Sequence, residues 1–300
     1  MLYLGYIIAR AIARIMPIRV SYWIAERVAD TWYLLSPRIR ANVAHNLSLL
    51  PEAPAGKHAV SLHTRKAMRN FAKVVTEFLY FPRLNPQNIG DLVDMESFTG
   101  LKDQLDRGPG ILVTAHLGNW ELAAVAIAMA GVDLNVVVYD HPDRRVARLF
   151  RKHRESKGLK VMSVKSAGRS IMRVLRTGSL GVVGDRDYSG RGSQAEFLGV
   201  KVSVPSAYAG LAVSMKIPVI AGFCIRCEDG KYRLTLQETV YDPARDSISG
   251  EEIIEACLRI FEKGVEKHTE QWYFFERVDR RWGRPDEVSG QEEMSHRQVT

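Results

Sequence analysis

Cysteine is scarce in this chain: three in 300 residues, at positions 224, 227 and 257. That count excludes a disulfide framework and implies a reducing compartment. Cys224 and Cys227 form a C-x-x-C, but no second one follows, and the pair falls where a strand runs into a turn. Three residues apart on a strand they point to opposite faces, so a plain reduced pair is expected rather than zinc or redox chemistry. Long apolar runs are also missing. A membrane-spanning helix needs about 20 mostly apolar residues, and the apolar N-terminal stretch is broken by Arg10 and Arg14 before Pro17 ends it. No small-residue cleavage site follows, so a removed signal peptide is not expected. There is no internal repeat and no G-x-S-x-G turn to carry a nucleophilic serine.

Acidic residues are outnumbered, 34 Asp and Glu against 42 Lys and Arg, for a formal net charge of +8. A basic balance suits nucleic acid, anionic membranes or phosphorylated ligands, and the total alone does not choose among them. The 46% of hydrophobic residues suffices for a sizeable core in a chain long for one domain but within reach of a single α/β unit.

The first 35 residues combine Tyr3, Tyr6, Tyr22, Trp23, Trp32 and Tyr33 with Arg10, Arg14, Arg19 and Arg27. Amphipathic aromatics beside arginines suit helices lying in a membrane interface; the simpler reading is a helical hairpin packed on the domain. Ser36-Pro37 breaks this region. Helices are predicted over 38–50 and 57–81. The second has an apolar face and a basic one, with Lys57, Arg65, Lys66, Arg69 and Lys73 read as a solvated surface or, second, as a membrane contact. From about residue 93 short apolar runs alternate with helices. Strands are predicted at 110–115, 134–139, 159–164, 180–183, 217–226 and 232–236, and helices at 101–107, 120–130, 143–157, 168–176, 206–215 and 251–268. This alternation predicts an α/β fold with a mostly parallel central sheet flanked by helices.

The chemistry gathers at His116-Leu-Gly-Asn-Trp-Glu121. His116 ends a predicted buried strand and Glu121 sits in the first turn of the next helix, where strand ends meet helix N-termini. The two could form a general base and its orienting partner. Each also has an ordinary reading, a satisfied strand-end histidine and a glutamate complementing a helix dipole. The motif resembles the H-x4-D/E signature of glycerolipid-type acyltransferases. With its Leu-Gly-Asn-Trp filling it is similar to the bacterial late lipid A acyltransferases, a family of lauroyl and myristoyl transferases that includes phosphatidylinositol mannoside acyltransferases. Phe150-Arg-Lys-His-Arg154, the stretch from Gly184-Asp-Arg-Asp187 to Glu196-Phe-Leu-Gly199, Val204-Pro-Ser and His268-Thr-Glu-Gln-Trp272 fit the same family in the same order. The Asp-Arg-Asp form is closer to the phosphatidylinositol mannoside branch, and Thr269 stands where the family has proline.

The resemblance implies a glycerolipid acyltransferase-like fold and O-acyl transfer from an acyl thioester to a glycolipid hydroxyl, such as that of a lipid A precursor. His116 and Glu121 are the implied catalytic residues. Glu196 is a rival partner for the histidine, and the choice between the two glutamates stays open. Asn119, Arg154, Asp185 and Asp187 are implied to bind substrate. No metal or cofactor is expected; acyl carrier protein or coenzyme A supplies the chain as a co-substrate. The basic segment 144–157 suits its phosphates. The other partners expected are a membrane glycolipid acceptor and an anionic membrane surface, and not nucleic acid. The organisation expected is membrane-associating helices over 1–35, the acyltransferase domain over 36–285 and a flexible tail over 286–300, on the cytoplasmic face of the inner membrane in peripheral or monotopic attachment. Two other classes compete: an acyl-thioester hydrolase using the same His/Glu pair on water, and a non-enzymatic basic membrane-binding module.

Overall fold

The computed structural model describes residues 2–165 and 168–279; the tail expected over 286–300 lies outside them. The chain opens with four helices, α1 (Leu2–Ile15), α2 (Ile18–Leu35), α3 (Pro37–Leu47) and α4 (Gly56–Tyr80). Prolines set the breaks: Pro17 precedes α2 and Pro37 begins α3, where the missing amide costs nothing. After short 3-10 turns and α5 (Thr99–Asp106), strands and helices alternate. They are β1 (Ile111–Thr114), α6 (Trp120–Met129), β2 (Leu134–Val138), α7 (Arg144–Glu155), β3 (Lys160–Ser163), α8 (Gly168–Val174) and β4 (Ser179–Val183). The hairpin β5 (Ser193–Phe197) and β6 (Val200–Val204) follows, then α9 (Ala207–Met215), β7 (Val219–Arg226), β8 (Tyr232–Tyr241) and α10 (Gly250–Lys267).

Six strands form one sheet in the order β3-β2-β4-β1-β7-β8. The first five run parallel and β8 closes the edge antiparallel to β7. This is the mostly parallel α/β fold that the alternation predicted. Strand residues alternate between faces, which builds two cores. Ile111, Val113, Val219 and Phe223 meet Tyr208 of α9 and Ile253 and Phe261 of α10. On the other face Ile220 and Leu134 meet Leu101 of α5, Leu122 and Val125 of α6 and Phe78 of α4.

Two features depart from the sequence reading. The segment read as one loop over 184–199 includes β5, whose hairpin turns at Leu198 and Gly199, both at positive φ. That is the backbone of a two-residue hairpin turn, and Glu262 Oε1 accepts the Leu198 amide at 2.7 Å to hold it. The polar composition of β5 concealed it. The basic face of α4, read as solvated or membrane-facing, is instead largely answered by α2. Asp30 receives Arg69 at 2.6 Å and Arg65 at 2.8 Å, and Glu26 receives Lys73 at 2.6 Å.

Candidate active site

The strand register assembles the site. β1 and β4 are adjacent and parallel, with Thr114 opposite Val183. His116 and Asp185 each lie two residues beyond those ends, so both arrive at the carboxyl edge of the sheet side by side. Asp185 Oδ1 accepts from the His116 ring at Nδ1 (2.7 Å), and its Oδ2 accepts the His116 backbone amide (2.9 Å). The carboxylate thus fixes both the ring and the chain that carries it. The Asp185 side chain is fully buried and the His116 ring is 19% exposed. Burial pushes the Asp185 carboxyl up, but the His116 charge, its hydrogen bonds and Arg186 outweigh burial and hold the group below its ordinary range.

Neither glutamate offered by the sequence holds this position. Glu121 is engaged bidentately by Arg154, at 2.8 Å to Nε and 2.5 Å to Nη2. Arg154 also lies over the Phe78 ring, 5.2 Å from its centre. Glu196 stands exposed on β5 opposite Lys201. The geometric reason is direction. The H-x4-E spacing places Glu121 on α6, whereas Nδ1 of His116 points along the sheet edge to β4.

The remaining residues singled out from the sequence also find partners. Asn119 is fully buried rather than open to a ligand. Its Oδ1 caps α6 by accepting the Leu122 amide at 2.8 Å, and its Nδ2 donates to Glu77 at 2.6 Å. Asp187 is buried and folds its own loop, accepting the Ser189 amide at 2.8 Å and the Gly192 amide at 2.7 Å. Cys224 lies buried in β7, and burial pushes its thiol up; Cys227 falls just past that strand's end.

Gly118 shows why the turn reads Leu-Gly-Asn. Its φ is +66°, and a Cβ there would stand 2.1 Å from the Cys224 carbonyl oxygen. The turn is strapped to β7 and the C-terminal segment by Asn119 N to Cys224 O at 2.8 Å and Gly118 N to Gln271 O at 2.9 Å. Behind it lies Glu77 of α4, which the sequence did not flag because it reads as one glutamate in an amphipathic helix. Its carboxylate is wholly buried. It receives Asn119, Tyr22 (2.5 Å), Tyr232 (2.8 Å) and the Arg226 guanidinium.

His116 opens onto a cavity of about 990 Å³. One arm runs between α6 and the sheet, walled by Ala123, Ala124 and Ile127 above and Leu112, Gly181 and Gly222 below. A second reaches α8 and α9 on the other face, at Ile171, Tyr208 and Leu211. Glu121 and Arg154 line the mouth with His116. With Nδ1–H donated to Asp185, the His116 Nε2 lone pair is available on the cavity side. That arrangement can take a proton from a hydroxyl.

A sheet-edge histidine held by a buried carboxylate, opening onto an apolar cavity, equips a protein for proton transfer beside a hydrocarbon chain. The profile of the bacterial lipid A biosynthesis acyltransferase family matches residues 1–282, and the chain belongs to that family of acyltransferases. Among its relatives, a phosphatidylinositol mannoside acyltransferase of Mycolicibacterium smegmatis is 24% identical over 220 residues, covering 71% of this chain and 70% of the relative. The resemblance drawn from the H-x4-E stretch and its companion motifs is therefore borne out at the level of the family.

Proposed function

We propose that this protein is a membrane-associated O-acyltransferase that moves a fatty acyl chain from a thioester to a hydroxyl of a glycolipid, with His116 as the general base. The observation that carries the reading is the 2.7 Å bond from His116 Nδ1 to buried Asp185 at the mouth of the apolar cavity. His116 Nε2 takes the proton as the acceptor oxygen attacks the thioester carbonyl. The carbon–sulfur bond breaks, and the leaving thiolate takes up the proton. Asp185 holds the ring in the tautomer this needs and stabilises the imidazolium. Glu121 and Arg154 shape the cavity mouth as an ion pair rather than orienting the ring, and Glu121 is thereby moved from partner to wall.

The donor is a carrier-protein or coenzyme A thioester. What supports either is α7, whose Arg144, Arg148 and Lys152 are exposed one turn apart on the helix that also sends Arg151 and Arg154 to the cavity wall. Such a stripe suits phosphates or an acidic carrier. The acceptor is a glycolipid, as family membership and the mannoside relative suggest. Among the described residues no helix is long and apolar enough to cross a membrane. The exposed apolar side chains of α1 and α2, Trp23, Leu34 and Leu35 among them, support interfacial attachment, which we place on the cytoplasmic face of the inner membrane.

The test is transfer of a labelled acyl chain from thioester to glycolipid. His116→Ala is expected to keep its fold and lose about 10²–10⁴-fold in rate, with Asp185→Asn also impaired. Full transfer by folded His116→Ala would remove the mechanism. Release of free fatty acid without acceptor dependence would replace it with thioester hydrolysis.

A further inference from the structure

The arm of the cavity beneath α6 crosses the strands. From the mouth at His116 it passes over Thr114 of β1 and Gly222 of β7 and ends against Leu101, Leu234 and Gln237. Register puts Gly222 beside Thr114, because Val113 pairs with Ala221. Gly222 therefore stands one strand away from the strand that leads to the base, about 4.8 Å across. Beyond it lie β8 and α5.

Glycine within a strand marks a bulge, a close approach of another chain, or a place where a side chain would obstruct something. Gly222 does fall where the β7–β8 register shifts, between Ala221 and Phe223, but a bulge requires glycine only at positive φ. Gly222 is not among the positive-φ residues. A Cβ built on it meets nothing nearer than the Gln237 Cα at 3.4 Å, an ordinary contact. Gly118, by contrast, would collide with backbone at 2.1 Å. What the missing side chain does at Gly222 is keep the slot between the sheet and α6 open. The alanines Ala123 and Ala124 do the same from the helix side.

We propose that Gly222 sets the length of acyl chain the enzyme accepts. The chain threads under α6 and over Gly222, with its methyl end against Leu234 and Leu101. This rests on the acyl-transfer reading above. A side chain at 222 closes the slot at β7 and leaves room only for a shorter chain. Trimming Leu234, whose Cδ1 lies 3.7 Å from the position of a Gly222 Cβ, lengthens it.

The experiment measures kcat/KM of the full chain with a graded series of saturated acyl thioesters, on coenzyme A and on acyl carrier protein, and a fixed glycolipid acceptor. Gly222→Leu is expected to lose at least tenfold on the longest donors the wild type uses while the shortest change little. Gly222→Ala should fall between, and Leu234→Ala should move the preference to longer chains. Circular dichroism melting confirms that each variant is folded; if Gly222→Leu does not fold, Gly222→Ala and Leu234→Ala decide. An unchanged length profile in folded, active variants, or an equal loss at every length, overturns the proposal and leaves acyl transfer standing. A wild type that transfers no chain from any donor removes the acyl-transfer reading, and the length assignment with it.

Discussion

His116 and Asp185 lie 69 residues apart in sequence and meet because their strands are neighbours in one parallel register. The pair also links the site to pH. The folded Asp185 carboxyl titrates below its unfolded value, which is about 3.9. Its contribution to stability is thus complete above that value and is lost as pH falls through the folded pKa. Asp185→Asn should flatten the acid limb of a stability–pH profile, checked by urea midpoints between about pH 2 and 5; an unaltered limb would place the acid sensitivity in other carboxylates. At this scale much was legible. A histidine closing an apolar run, followed by Gly and Asn, marked the turn that the structure sets at the cavity, and the glycine is explained by its φ and by the Cys224 carbonyl. Spacing offered Glu121 and the family resemblance offered Glu196, while in the structure the ring points across the sheet edge to Asp185.

Among the elements, α4 acts as the strut between the N-terminal helices and the His116–Asn119 turn. On one side Arg65, Arg69 and Lys73 grip Asp30 and Glu26 of α2. At its far end Glu77 gathers Tyr22 of α2, Arg226 of β7, Tyr232 of β8 and Asn119, which caps α6. Removing one partner of a buried ion pair leaves the other charge uncompensated, at a cost of about 3–5 kcal/mol. Glu77→Ala should therefore destabilise the protein by that order, measured by chemical denaturation, and Glu77→Gln by less, since the amide still accepts hydrogen bonds. A loss of under about 1 kcal/mol for the alanine variant would show that Arg226 finds solvent or another anion. The periodicity of α4 was visible in its apolar positions. The role of its charges was not, because an arginine on a helix face looks the same whether water or an aspartate answers it.

For the whole molecule, α1 and α2 present apolar side chains outward. Leu4, Ile8, Ile15, Trp23, Val28, Leu34 and Leu35 are each more than half exposed, while Ala13, Ser21 and Ala29 are buried. Fully burying a large apolar side chain contributes about 1.5–3 kcal/mol. Replacing Trp23, Leu34 and Leu35 together by glutamate should therefore weaken sedimentation with anionic vesicles by about two orders of magnitude or more. Activity on a detergent-dispersed acceptor should persist, since these side chains lie on the outer surface. Equal vesicle binding by the triple variant would exclude this face as the membrane contact. Composition and periodicity by themselves determined the α/β class, the parallel strands and the aromatic, arginine-bearing N-terminus, because those follow from local pattern and from which side chains water rejects. Motif spacing marked the His116 turn as a candidate site and, with its companions, the family. Only the tertiary structure decided that β4 lies beside β1, that Asp185 rather than a glutamate takes the ring of His116, and that Gly222 leaves a slot beneath α6. Strand order, register and the direction of a side chain are set by packing between segments far apart in the chain, where sequence spacing carries no distance.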